Sequence, residues 1–336
     1  MARLGFLKRV AANVLRALLM IWIVCTFTFF LVRLMPGNPA QAQYEALLQQ
    51  GRTPLEAERI TTTMFGFLPK GSLFQQYTDY LGQLAHFNFG RSISGQGIAV
   101  STELGSAVLW TVGLVLTGVV LSAALGIVLG VIAAMKRATK VGDGLSIVGS
   151  VLHGIPQYVM ALVLVTFLTV KFPIFSTGPV DGLLEPGFNA PYIASLVSHA
   201  VLPALAFALS SFGGYLLTMK SAVVSVLGDD FILAAELRGL SRWIIFRYVA
   251  RNAVLPLFTI LALSIGFMFG GAVFIENAFN YPGMGSLLIK SVGARDYPVM
   301  TGAFLLITVA VILANLVSDF IYTLIDPRVA RAGATA

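Results

Sequence analysis

The stretch LGSAVLWTVGLVLTGVVLSAALGIVLGVIAAM, residues 104–135, decides the fold class. It carries no Asp, Glu, Lys or Arg, and at ~1.5 Å of rise per residue it outruns the ~30 Å hydrocarbon core of a bilayer. The rest of the chain has the same character. Of 336 residues, 57% are hydrophobic and only 11% charged, and the mean hydropathy is +0.86. Soluble domains carry roughly 25% charge. That deficit excludes disorder, nucleic-acid binding and an ordinary cytosolic enzyme, and defines an all-α integral membrane protein. The 33 glycines fit spans in which small residues let helix backbones approach closely.

Six stretches lack charge: 17–32, 104–135, 144–170, 186–219, 252–275 and 297–318. They place six transmembrane helices near 14–35, 107–134, 145–171, 199–226, 254–275 and 300–323. With the N-terminus inside, 14 Lys and Arg fall on the cytoplasmic side and 8 on the other, so both termini are expected inside. Three regions follow: 1–35 with the first span, a ~70-residue extracytoplasmic segment at 36–103, and a core at 104–336 with a cytoplasmic loop at 227–253. Pro36-Gly-Asn-Pro39 breaks the first helix, and Glu56, Glu58 and Arg59 suggest a short surface helix. Ala40-Gln-Ala42 imitates a signal cleavage site, but the apolar run before it is too long for a signal peptide. Net charge is +7, borne by the inner loops.

Resident chemistry is sparse. No G-x-x-x-x-G-K-[ST] phosphate loop and no G-x-S-x-G elbow occurs. Cys25 stands alone in an apolar run, and His86, His153 and His199 lack carboxylates at ligand spacing, so no metal site is expected. Transport is the remaining default. Candidate path positions are the polar or weak points within spans: Gly154, Pro156 and Gln157, which interrupt the third; Ser210 and Ser211, which with Gly213-Gly214 interrupt the fourth; and Ser264 and Met268 in the fifth. Helix packing is the alternative reading of each. Glu276, with Pro282 and Gly283 beyond it, is a candidate gate or binding-protein contact at the outer end of the fifth span, and Asp319 calls for a partner near the inner face.

The most informative loop is DFILAAELRGLSRWIIFRYVARNAVLP, residues 230–256. Leu233, Ala234, Leu237 and Leu240 recur at helical spacing, Gly239 suits a left-handed stop, and Arg242, Trp243, Phe246, Arg247 and Arg251 give a second helix basic and aromatic flanks. Pro256 opens the next span, where a missing donor is harmless. A basic juxtamembrane loop of this kind also suits anionic headgroups.

The order Ala234-Ala235-x-x-x-Gly239 with a later Leu-Pro256 resembles the coupling loop of ABC importer permeases, which docks on the cytoplasmic ATPase. Leu233 departs from the Glu common in that superfamily. The 17-residue Gly-to-Pro spacing and Arg251-Asn252-Ala-x-Leu-Pro are similar to the peptide and nickel permease branch. So are Arg33–Ala40, Phe89-Gly-Arg-Ser92, Gly126-x-x-x-Gly130, Ile155-Pro156, the run Glu276–Gly285, Asp296-Tyr-Pro298, Asn315-Leu-x-x-Asp319 and Asp326-Pro-Arg328. The resemblance implies a B-type permease of a peptide importer in a bacterial inner membrane, in heterodimer with a paralogous permease. It further implies one or two P-loop ATPases holding the ATP and Mg, so no cofactor in this chain, and an external substrate-binding protein. Asp230, Glu236, Arg238, Gly239, Leu240 and their neighbours above become ATPase-coupling residues. Oligosaccharide, nickel chelate and glutathione are alternative cargoes. An ion-coupled carrier, or a structural membrane-assembly subunit, is a rival of another class.

Overall fold

The computed structural model describes residues 2–34, 39–65, 72–95, 97–180, 184–185 and 187–325; expectations at 35–38, 70 and 326–331 lie outside them. Among the described residues the chain is helical, with one isolated β-bridge, Arg91 to Ala99. The helices are α1 (Ala2–Leu34), α2 (Pro39–Gln49), α3 (Pro54–Phe65), α4 (Leu73–Ala85), α5 (Val100–Met135), α6 (Lys140–Gly154), α7 (Gln157–Val165), α8 (Ala190–Leu227), α9 (Asp230–Leu237), α10 (Arg242–Ala253), α11 (Leu255–Ala278), α12 (Met284–Ala294) and α13 (Tyr297–Ile325). Four stretches are long and apolar enough to cross a membrane: Val10–Leu31 within α1, α5, α8 and Tyr297–Ser318 within α13.

The interruption expected in the third span is present as a sharp bend. Pro156, which cannot donate a backbone hydrogen bond, separates α6 from α7, and the pair bends by 97°. The expected break at Ser210–Gly214 is absent: α8 runs unbroken from Ala190, nine residues earlier than expected, and passes through Pro203. At 36 and 38 residues, α5 and α8 would extend more than ~50 Å, so their ends stand outside the hydrocarbon.

The chain divides into two compact units. The first comprises Met1–Val112 and Pro282–Leu313. Its core joins Val100, Leu104 and Ala107 to Met284, Val299 and Ala303. The segment expected as a polar connection is three helices rather than one. α3 opens with a capping box: the Thr53 amide donates to Glu56 Oε2 (3.1 Å), and the Glu56 amide donates to Thr53 Oγ1 (3.3 Å). Hydrogen bonding to the carboxyl from the Thr53 amide, and then from the Thr53 side chain, holds the exposed Glu56 below its ordinary pKa. Ala57, Thr61 and Phe65 bury the other face.

The second unit comprises Gly113–Tyr281 and Ala314–Ala336, with α8 as its axis. Gly126 and Gly130 put α5 against Tyr215, Leu216 and Met219; a Cβ on Gly130 would lie 2.7 Å from both the Leu216 carbonyl oxygen and Met219 Cβ. Gly213 meets the Gly149 carbonyl of α6 in the same way. The glycines of α8 are packing positions, where only a missing side chain allows the approach.

Candidate coupling surface and translocation path

α9 is held on one side only. Ile232 is buried among Tyr215, Met219, Val223, Val249, Ala253 and Leu257, and Ala235 is buried too, whereas Phe231, Leu233, Ala234 and Leu237 face outward. Leu237 is 81% exposed. Leu233, Ala234 and Leu237, grouped by their spacing, do share a face, and it is the exposed one; the buried stripe is Ile232–Ala235, Leu240 is half-buried, and the two alanines point apart. α9 ends in a Schellman motif. The Gly239 amide donates to the Glu236 carbonyl (2.9 Å) and the Leu240 amide to the Ala235 carbonyl (3.2 Å), with Gly239 at φ +70°. No atom lies within 4 Å of where a Gly239 Cβ would stand, so glycine is required there by the backbone and not by crowding.

α10 buries Val249 and Ala253, and stacks exposed Trp243 on Phe246 with ring centroids 5.5 Å apart. Asp230, Glu236, Arg238, Arg247, Arg251 and Asn252 are all exposed; the Asn252 amide returns to the Tyr248 carbonyl at 2.8 Å. Pro256 sits in the first turn of α11, also exposed. The segment thus exposes both apolar side chains and arginines, on helices anchored from behind.

Within the second unit, two of the candidate path residues, Gln157 and Ser211, draw together. Gln157 Nε2 lies 3.4 Å from Ser211 Oγ, and the Gln157 carboxamide lies against Gly271 of α11. Gly154 and Pro156 are exposed at the 97° bend, and Ser264 is half-buried. Ser210 does not join them: it is buried and donates to the Ala206 carbonyl of its own helix at 2.9 Å. The Met268 and Asp319 side chains lie outside the described residues. The His199 and His86 rings lie 2.8 Å from the Ser195 and Gly82 carbonyls, as expected of structural histidines. No group of three metal-ligating side chains occurs among the described residues.

Glu276 is fully buried at the end of α11 and its carbonyl accepts the Tyr281 amide at 2.7 Å. Burial, with Glu276 nearby, pushes the Tyr281 phenol up to about 12. Pro282 is half-buried and Gly283, buried, caps α12 in the first unit.

Sequence reasoning missed a buried carboxylate node in the first unit. Asp296 Oδ2 accepts from Ser92 Oγ (2.7 Å), the Ser94 amide (2.8 Å) and Ser94 Oγ (2.8 Å). Burial raises the Asp296 pKa, but these bonds outweigh it and hold the carboxyl below its ordinary value. Gly90, at φ +84°, lets the Arg91 amide reach the Met64 carbonyl at 3.0 Å. Thr111 Oγ1 accepts the Met284 amide at the start of α12 (2.8 Å). The partners in the Asp296 node stand about 200 residues apart in sequence, so no local spacing announces them.

Several apolar spans, a bent helix pair and an anchored, outward-facing helical loop define a polytopic membrane transport component. Residues 126–331 match the family described as "Binding-protein-dependent transport system inner membrane component", and the chain belongs to it. A protein of Brucella suis biovar 1 (strain 1330) provisionally named a peptide permease is 32% identical, over 90% of this chain and 92% of its own. The di/tripeptide transport system permease protein DppB of Pseudomonas aeruginosa (strain UCBPP-PA14) is 30% identical, over 91% and 94%. The oligopeptide transport system permease protein AppB of Bacillus subtilis (strain 168) is 29% identical, over 91% and 94%. Permeases named for nickel import and glutathione transport match at 28%. The chain is thus a multi-pass inner-membrane permease of the branch its motifs imply.

Proposed function

We propose that this permease carries di- and oligopeptides inward in an ATP-driven importer, paired with a paralogous permease and fed by an extracytoplasmic binding protein. The outward face of α9 carries this reading: Ala234 is a small exposed step beside Leu233 and Leu237, on a helix whose far side is fixed in the core. Such a surface transmits force because it is rigid behind and open in front. ATP and Mg belong to one or two P-loop ATPases seated there, and this chain holds no cofactor.

In this reading there are six crossings, N-in and C-in, with α6 and α7 forming one broken span and α11 the fifth. Gln157, Ser211 and Gly271 line the path, and Glu276 with Pro282 and Gly283 serves the outer gate. Two packings of this helix set, biased by nucleotide, give alternating access.

Peptide cargo is favoured by the names of the three relatives, and nickel chelate or glutathione is the second reading, favoured by the others. The test is uptake into proteoliposomes holding the co-purified assembly and its binding protein. ATP-dependent accumulation of labelled di- and tripeptides is expected. Accumulation of nickel or glutathione instead replaces the cargo, and uptake driven by an ion gradient without ATP overturns the reading.

A further inference from the structure

α4 is the one helix of the segment between α1 and α5 whose side chains are nowhere fully buried among described residues, yet it is strongly two-faced. Leu73, Tyr77, Tyr80 and Leu84 lie at helical spacing on one side. Gln75, Thr78, Asp79, Gly82 and His86 lie on the opposite side and are exposed. Phe74 and Leu81, seven residues apart, form an apolar flank between the two, and Phe74 is 76% exposed. In water that flank would be a liability.

The position of α4 along α1 is fixed by contacts within the first unit. Thr26 Oγ1 donates to the Trp22 carbonyl (2.8 Å), so the 2.7 Å bond between Thr26 and Tyr77 uses the phenol as donor. Phe29 packs edge-on to Tyr77 (5.1 Å) and tilted against Tyr80 (5.5 Å). The apolar stretch of α1 ends at Leu31. Thr26 and Phe29 lie five and two residues short of that end, about 7.5 and 3 Å inside it at 1.5 Å per residue. At the same level α1 exposes Phe27, Phe30 and Leu31, a surface suited to hydrocarbon.

We infer that α4 is an interfacial helix: it lies along the outer leaflet with Phe74 and Leu81 among lipid acyl chains and the Gln75–Asp79–Gly82 side toward water. The level of Thr26 falls within the ~5–10 Å to which such helices sink their apolar faces, and that of Phe29 lies nearer the surface. Tyr77 and Tyr80 sit where aromatic belts form. Asp79 is the only charge on α4, so no attraction to anionic headgroups is needed; the tether to α1 supplies the localisation. The inference rests on α1 crossing the bilayer and on the outward placement of residues 36–103 proposed above.

The test uses the purified full-length chain, with Cys25→Ser as background, reconstituted in vesicles of phosphatidylethanolamine and phosphatidylglycerol. Spin labels are placed at Phe74→Cys, Leu81→Cys and Asp79→Cys, and their collision rates with oxygen and with a water-soluble nickel chelate are compared. The oxygen-to-chelate ratio is expected to be several-fold higher at 74 and 81 than at 79. Equal, chelate-dominated rates at all three would overturn the inference, as would protection at 74 that appears only when the binding protein is added, which would make this a protein-docking face. A membrane-impermeant thiol reagent at Asp79→Cys reads the side independently: labelling only from the cytoplasmic face would sink the topology while the lipid contact at 74 stands.

Discussion

The Ser92–Asp296 node and the α9–α10 segment solve opposite problems. The node is closed. Its buried carboxylate has three donors within 2.8 Å, its glycine turn fits a neighbouring carbonyl, and Thr111 completes the start of α12. The α9–α10 segment is open. The C-terminus of α9 is capped by backbone hydrogen bonds, but Leu233, Leu237 and Trp243 stay more than half exposed. Closure of the first kind specifies one arrangement, since a buried polar group left unpaired costs about 1–3 kcal/mol. Openness of the second kind leaves apolar area whose burial is available to a partner.

The contrast breaks most visibly with Ala234→Trp. Its site is exposed, so thermal stability should stay within roughly 0.5 kcal/mol of the parent, whereas binding-protein-dependent uptake should fall to background. A folded chain with normal uptake would remove α9 from the coupling route. At the closed node the effect reverses in kind. Asp296→Ala strands three donors and should lower unfolding stability by about 3 kcal/mol, read as a drop in thermal midpoint in detergent.

One left-handed glycine from each region, Gly90 and Gly239, sharpens the comparison. Gly90→Ala places a methyl group onto the Met64 carbonyl and adds that clash to backbone strain, whereas Gly239→Ala meets open space and bears only the ~1–2 kcal/mol of the left-handed conformation. Thermal midpoints should therefore fall further for the first. Equal losses would mean the turn at Gly90 relaxes.

The smallest effect is on pH. Because the folded-state pKa of Asp296 lies below the ordinary value, its stabilisation is present above the unfolded carboxyl pKa of ~3.9 and fades as pH falls through the lower folded value. The midpoint difference between parent and Asp296→Asn should be constant from neutral pH down to about pH 4 and shrink below it. A difference that shrinks well above pH 4 would contradict the depressed pKa.

Much of this was legible in the chain itself. Apolar runs located the long helices because a bilayer leaves no other way to satisfy a backbone. Gly239, Pro256 and the two short helices around them followed from local capping rules, which act within a turn. The errors are of two kinds. Helix starts fell before the expected ones: α8 begins at Ala190, inside the charge-free run 186–219 but nine residues ahead of the span placed there, and α5 begins at Val100, ahead of the charged Glu103. Glycines in α8 were taken as weak points, yet Gly213 faces a backbone carbonyl and Ser210 bonds to its own helix, so a pair of small residues marks close packing as readily as a break. The facing directions of Ala234 and Ala235, and the meeting of Ser92 with Asp296, depend on tertiary contacts that one-dimensional spacing does not carry.

The most direct test of the central claim is purification of this chain from its native membrane in mild detergent, with the parent and Ala234→Trp processed side by side. The account predicts that the parent brings down a second permease and one or two ATPase chains with measurable hydrolysis. The variant should keep the second permease and lose the ATPases. Recovery of the parent chain alone, or of ATPases unaffected by Ala234→Trp, would contradict it.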